Sequence, residues 1–229
     1  MNVHSHRTTL GFSYLDKLLI WIVPPILGLT LGWFLPSVAK WAITLPWVPL
    51  KGPLELIASY TGPWVIVVTS CIGLIAGLWL TYAAFNESLV IYISDRTICL
   101  AINGKEEVFA KEQVSTGFLD GKQLVLIGTR GQELYREKHE TTALKVADAF
   151  IQHGYDWSQA DPFSDQYKRW VPDSPGLPLG ANALLKAREV ALQRKEQENI
   201  KDLHQELTKL GITVRDKDNR QYWREHKLQ

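Results

Sequence analysis

LLIWIVPPILGLTLGWFLPSVA, residues 18–39, contains no charged residue and is bracketed by Lys17 and Lys40. Roughly 20 apolar residues in a helix cross a hydrocarbon core of about 30 Å. A second uncharged run of the same length, WVIVVTSCIGLIAGLWLTYAAF, occupies residues 64–85 and is closed by Asn86 and Glu87. Backbone groups in lipid must be satisfied within their own segment, so both runs are predicted to be helices. They define a membrane α-helical hairpin, with spans at 18–41 and 64–85.

Outward from these runs the composition divides at Phe85. Residues 1–85 hold four basic and two acidic residues, and residues 86–229 hold 21 and 22. Six of the nine Trp lie in the first part. Charge depletion with Trp enrichment is a membrane composition, and Trp41, Trp47 and Trp64 suit the interface. Residues 1–17 form an N-terminal tail. Residues 42–63, with Pro46, Pro49, Pro53 and Pro63, form an interfacial loop. Pro24 and Pro25 remove backbone donors, predicting a kink near Ile20 and Trp21. Gly28/Gly32 and Gly73/Gly77 are small-xxx-small pairs that let helix backbones approach, either within the hairpin or between copies of the chain. Cys71 and Cys99 belong to different environments, so no disulfide is expected.

From Ser88 the period becomes two. Leu89, Ile91 and Ile93 alternate with Val90, Tyr92 and Ser94, and Ile98, Leu100 and Ile102 follow the same rule. Asn103-Gly104, Asp120-Gly121 and Arg130-Gly131 are turn signals. Val108-Phe109, Leu124–Ile127 and Glu133–Arg136 add strands, for five to seven in all. Leu144, Ala147, Phe150 and Ile151 then trace one face of a helix capped at Thr141 or Thr142 and ended by Gly154. The expected module, residues 86–157, is an antiparallel β-barrel plugged by that helix.

Ile93-Ser94-Asp95-Arg96, the Leu119–Gly121 hairpin, the Gly131–Arg136 strand and the Phe150–Trp157 helix end resemble bacterial pleckstrin-homology-like (PH-like) domains behind two membrane spans, of the YqeB-like family. The resemblance covers roughly residues 10–165 and implies a PH-like fold and a membrane location. Lipid-binding PH domains gather basic residues in the first hairpin, where this chain has Arg96 and Lys105. Residues 86–153 carry eight basic and ten acidic residues. That balance weighs against anionic headgroups as the module's ligand.

Residues 158–180 read as a Pro-rich linker, with Trp157, Phe163, Tyr167 and Trp170 expected to pack back onto the barrel, the alternative being a peptide-binding aromatic strip. Residues 181–229 read as a small helical-hairpin unit with a short β-ribbon. Leu184, Leu185, Arg188 and Ala191 trace one helix face, and Ile200, Leu203, Leu207 and Leu210 another. A break is expected near Glu198-Asn199 and a stop at Gly211. Ile212–Val214 and Gln221–Trp223 are paired strands around an Asp218-Asn219 turn.

Glu206-Leu207, Leu210-Gly211-Ile212, Val214, Asp216 and Tyr222-Trp223-Arg224 resemble the C-terminus of cysteinyl-tRNA synthetases, a unit that contacts the anticodon. The resemblance implies a cytoplasmic side for both termini and makes Asp216, Trp223 and Arg224 candidate RNA or partner contacts. The family's Trp between the two helices falls near Gln197 here, and its acidic neighbour near Lys201. Trp223 is expected to cap the small core, and Arg224 to be solvated.

No Gly-rich phosphate loop, Cys-x-x-Cys or His-Glu-x-x-His is present. His4 and His6 on a terminus are too few to hold a metal. No nucleophile stands beside a base in sequence. The expectation is a non-enzymatic cell-membrane scaffold or adaptor without cofactor, whose partners are the lipid bilayer and a protein. The alternatives are RNA binding by the C-terminal unit and headgroup binding by the PH-like domain, with homo-oligomers through the membrane helices.

Overall fold

The computed structural model describes residues 7–45, 51–59, 62–218 and 220–226. His4, His6, Trp47, Pro46, Pro49 and Asn219 lie outside them. The chain forms two compact units.

The first unit is helical. It contains α1 (Tyr14–Ala42), α2 (Lys51–Ser59) and α3 (Pro63–Asn86). Ser13 and Asp16 form a capping box at the start of α1, each side chain satisfying the other residue's first-turn donors. α2 lies in the segment read as an interfacial loop. α1 and α3 are both long and apolar enough to cross a membrane, and most of their large apolar side chains point outward. A Cβ added at Gly28 would overlap the Gly73 carbonyl, and one at Gly73 the Gly28 carbonyl. Gly32 fits against Thr69 and Ser70, and Gly77 against Pro24 and Pro25. All four glycines are therefore spent inside the hairpin, on its own helix contact, rather than on an outward face. α1 stays helical through Pro24, Pro25 and Pro36.

The second unit holds both soluble modules. The PH-like module begins before the hairpin. β1 (Thr8–Leu10) pairs antiparallel with β2 (Val90–Ile93), Thr8 opposite Ile93 and Leu10 opposite Ile91. Residues 11–88 are thus inserted between the first two strands of one sheet, and the module's expected start at residue 86 is corrected. β3 (Thr97–Ile102) and β4 (Lys105–Ala110) complete the order β1-β2-β3-β4. A second sheet, β5-β6-β7, comprises Val114–Asp120, Gln123–Gly128 and Glu133–Lys138. No ladder joins the two sheets among the described residues, so the expected closed barrel is an open pair of sheets.

α4 (Ala143–Gln152) covers the opening between them. Its buried face is Val146, Ala149 and Phe150, so of the four residues read from the sequence only Phe150 belongs to it. Leu144 and Ile151 are 77% and 60% exposed. Phe150 packs on Trp157, their ring centroids 5.0 Å apart. Both rings lie so close to Gly117 that a Cβ there would crowd them at 3.0 and 3.2 Å.

β6 is buried along almost its whole length. One reason is that Phe163, from the segment expected to be a linker, packs on Phe118, Val125 and Ile127. That segment also supplies β8 (Lys168–Arg169), which pairs with β10 (Arg220–Glu225). β10 pairs in turn with β9 (Ile212–Lys217). The ribbon is therefore a three-stranded sheet, β8-β10-β9. It packs on α5 (Leu179–Arg194) and α6 (Gln197–Lys209) around Trp170, Leu177, Leu185, Leu207, Val214 and Trp223. The helices break at Lys195, φ +58°, before the expected Glu198-Asn199.

Candidate interaction surface of the C-terminal unit

In an antiparallel sheet, directly opposed residues share a face and neighbours along a strand alternate. Gln221 opposes Asp216, and Trp223 opposes Val214 and Lys168, so these side chains belong to one face of β8-β10-β9. That face meets α5. Arg188 donates from both terminal nitrogens to Asp216, at 2.7 and 2.8 Å, and also to the Gln221 carbonyl oxygen at 2.9 Å. Gln221 donates onward to the Leu185 carbonyl. A bidentate guanidinium–carboxylate pair is among the stronger polar contacts. It occupies Asp216, the residue matched to the anticodon contact.

Trp223 is 4% exposed within the core. The ammonium of Lys168 lies 5.4 Å from its ring centroid, so the indole has no free face for a base. A shallow cavity of about 330 Å³ opens beside it, lined by Asp165, Gln166, Lys168, Trp223, Arg224 and Glu225.

Arg224 departs from expectation. It is 2% exposed, not solvated. Its guanidinium lies 4.1 Å over Phe163 and 5.5 Å from the Tyr167 ring, and donates to the Gly131 carbonyl at 2.5 Å. A guanidinium is planar and stacks flat on aromatic rings while still donating from its edge, which a lysine cannot reproduce. Burial pushes the Tyr167 hydroxyl pKa up, and Arg224 pulls it partly back.

Arg224 belongs to a wider set of contacts between the C-terminal unit and the PH-like module. Arg215 on β9 donates to Asp120 at 2.9 Å and lies 3.5 Å from Asp161. Arg136 holds Asp120 at 2.8 Å and Glu133 at 2.9 Å. Burial alone would lower the Arg136 pKa, but Glu133 and Asp120 reverse it and raise it. His204 on α6 sits 3.5 Å from Glu133, with its pKa pushed down first by burial. Lys201, where the synthetases carry an acid, pairs with Glu137 at 3.2 Å. Arg224, read from the sequence as solvated, is thus one of several charges that join two modules.

The fold also brings a hydroxyl to a base. His153 Nε2 is 2.8 Å from Thr8 Oγ1, and its Nδ1 is 2.6 Å from Asp95. The side chain of His153 is 1% exposed and that of Asp95 68%. A nucleophile needs the open end at its hydroxyl, and here it is at the carboxylate. The contact fastens β1 to the end of α4. No group of three or more His, Cys, Asp or Glu residues could hold a metal among the described residues. Cys71 and Cys99 are free thiols. Arg96 and Lys105 are exposed.

Two open antiparallel sheets with a capping helix, followed by a helix pair on a small sheet, define a PH-like module joined to a tRNA-ligase-type C-terminal unit. The family model for the YqeB-like bacterial PH domain matches residues 8–158, and the chain belongs to that family. The match spans β1 and the helical insertion together. The model for the cysteinyl-tRNA ligase anticodon binding domain matches residues 174–224. Over 219 residues, 95% of this chain and 91% of the relative, the chain is 41% identical to a Bacillus subtilis (strain 168) protein named Uncharacterized protein YqeB. No solved structure matches.

Proposed function

We propose that this chain is a non-enzymatic membrane scaffold: α1 and α3 cross the cell membrane, both termini are cytoplasmic, and the PH-like and C-terminal modules together present one surface to a protein partner. The observation that carries this reading is that the C-terminal unit's recognition groups are already engaged by other parts of the chain. Asp216 is held by Arg188, the Trp223 indole is in the core, and Arg224 is stacked beneath Phe163 and bound to Gly131. A unit that spends these groups on its own packing and on the neighbouring module acts as part of a platform rather than as a reader of anticodons.

The pairing of β1 with β2 supports a two-span topology. Strands on either side of the insertion share hydrogen bonds, and only an even number of crossings permits that. Affinity capture of the full chain from detergent extracts, with protein and nucleic acid both identified, tests the scaffold reading. A stoichiometric protein partner, retained after nuclease treatment, is the expected result. Capture of tRNA that Asp216→Ala abolishes would overturn it.

A further inference from the structure

The sheet β8-β10-β9 has a second face. Tyr222 opposes Arg169 on one side and Arg215 on the other, and Arg220 opposes Lys217. Arg220 and Tyr222 are two apart on β10, so all five side chains belong to the same face. Its inner part is committed, because Arg215 is held by Asp120 and Asp161. Its outer part is not. Arg169, Lys217 and Arg220 are exposed and form no ion pair among the described residues, and Tyr222 is half-buried between them. The one acidic residue adjoining them in the β9–β10 turn is Asp218.

Three unpaired cations around a tyrosine make a surface for clustered anions. Magnitude decides which. A Lys or Arg near an anionic membrane contributes on the order of 1 kcal/mol, about fivefold in partitioning, so three contribute about a hundredfold. That is too little to capture a freely diffusing nucleic acid, where tight binders make roughly six to ten phosphate contacts. It suffices for a unit already tethered to a bilayer, because the tether makes the encounter intramolecular. Tyrosine also favours the interfacial zone, its ring among apolar groups and its hydroxyl in water. We propose that the outer half of this face, Arg169, Lys217, Arg220 and Tyr222, binds anionic phospholipid headgroups, so that the C-terminal unit rather than the PH-like module is the lipid contact. The proposal rests on the membrane reading above.

The full chain, carrying a photo-crosslinking phenylalanine analogue at Tyr222, is reconstituted in discs of either zwitterionic or anionic phospholipid and irradiated, so that the contact probed is with the bilayer that anchors it. Crosslinked lipid in the anionic discs alone is expected, decreasing as salt screens the contact. The double variant Lys217→Glu/Arg220→Glu should lose most of the crosslinked lipid. An unchanged circular dichroism spectrum shows that this variant is folded. Equal crosslinking in both kinds of disc overturns the proposal, as does its loss to a low concentration of single-stranded oligonucleotide that itself becomes crosslinked, which would make the face a nucleic-acid surface. Failure to enter discs overturns the membrane reading and this proposal with it. Entry into anionic discs without crosslinked lipid overturns the proposal alone.

Discussion

Thr81 Oγ1 donates a 2.9 Å hydrogen bond to the carbonyl of Ile20. That oxygen lies four residues before Pro24, which has no N–H to give it. A helix can carry proline in an apolar medium when a neighbouring helix supplies the missing donor, and α3 does so here. Thr81→Val keeps the shape and removes the donor. Its cost should be about 0.6–1.7 kcal/mol, the range for hydrogen bonds between membrane helices. Unfolding of the full chain in mild detergent by titrated denaturing detergent measures it, and Thr81→Ser should recover most of the loss. An unchanged midpoint for Thr81→Val would show that the Ile20 oxygen has another partner.

Gly28 and Gly73 meet backbone to backbone, so neither accepts a Cβ without separating α1 from α3. Gly28→Leu should open the hairpin by at least about 1–3 kcal/mol, the usual cost of overpacking. Faster proteolysis between residues 46 and 62 reports it. Light scattering should show no change in oligomeric state, since these glycines are occupied within one chain. Dissociation of a native dimer by Gly28→Leu would contradict that.

Arg224→Ala and Trp223→Ala should both destabilise the C-terminal unit. Removing a buried guanidinium that bonds Gly131 costs about 1.5–3 kcal/mol for the charged hydrogen bond. A Trp to Ala change in a core costs about 3–5 kcal/mol. Arg224→Lys should not rescue, because an ammonium cannot stack flat over Phe163 and reach the Gly131 carbonyl together. Thermal unfolding of the full chain, followed by near-ultraviolet circular dichroism, ranks the three. Wild-type behaviour in Arg224→Ala would return that residue to the solvated role its sequence suggested.

The junction of the two soluble modules should loosen in acid. Burial lowers the His204 pKa below its ordinary 6.5, and His139 and His226 move the same way for the same cause. With a depressed native pKa, the unfolded chain binds the proton first. Stability is then full above pH 6.5 and declines as pH falls from 6.5 through the lower native values. The unfolding midpoint should drop over that window, and His204→Gln should flatten the slope. A midpoint that rises as pH falls through 6.5 would show the opposite shift.

The PH-like module should not fold well from residues 88–157 alone. β1 contributes Leu10 to the core and Thr8 to His153. A fragment with residues 7–10 fused through a flexible linker ahead of residue 88 should melt cooperatively at a higher temperature. Equal melting with and without β1 would show that the strand is dispensable.

The sequence alone determined the elements whose cause is local. Twenty-two uncharged residues at 18–39 and again at 64–85 can only be long apolar helices, because their length and composition are enough to say so. The alternation from Leu89 to Ile102 and the turn glycines determined the strands, and the Leu-Gly-Ile turn with Trp223 determined the C-terminal unit. Tertiary structure decided what depends on residues far apart. Three residues at Thr8–Leu10 carry no readable period, yet they are a strand because β2 offers an edge to pair with. Arg215 and Arg224 look like surface charges until Asp120, Asp161 and Gly131 arrive from another module to hold them. Arg169, Lys217 and Arg220 become one surface only through the register of three strands, the first separated from the others by about fifty residues of chain. Periodicity reports which side of an element is apolar. It does not report which distant element will cover that side, and the charges here found their roles through that covering.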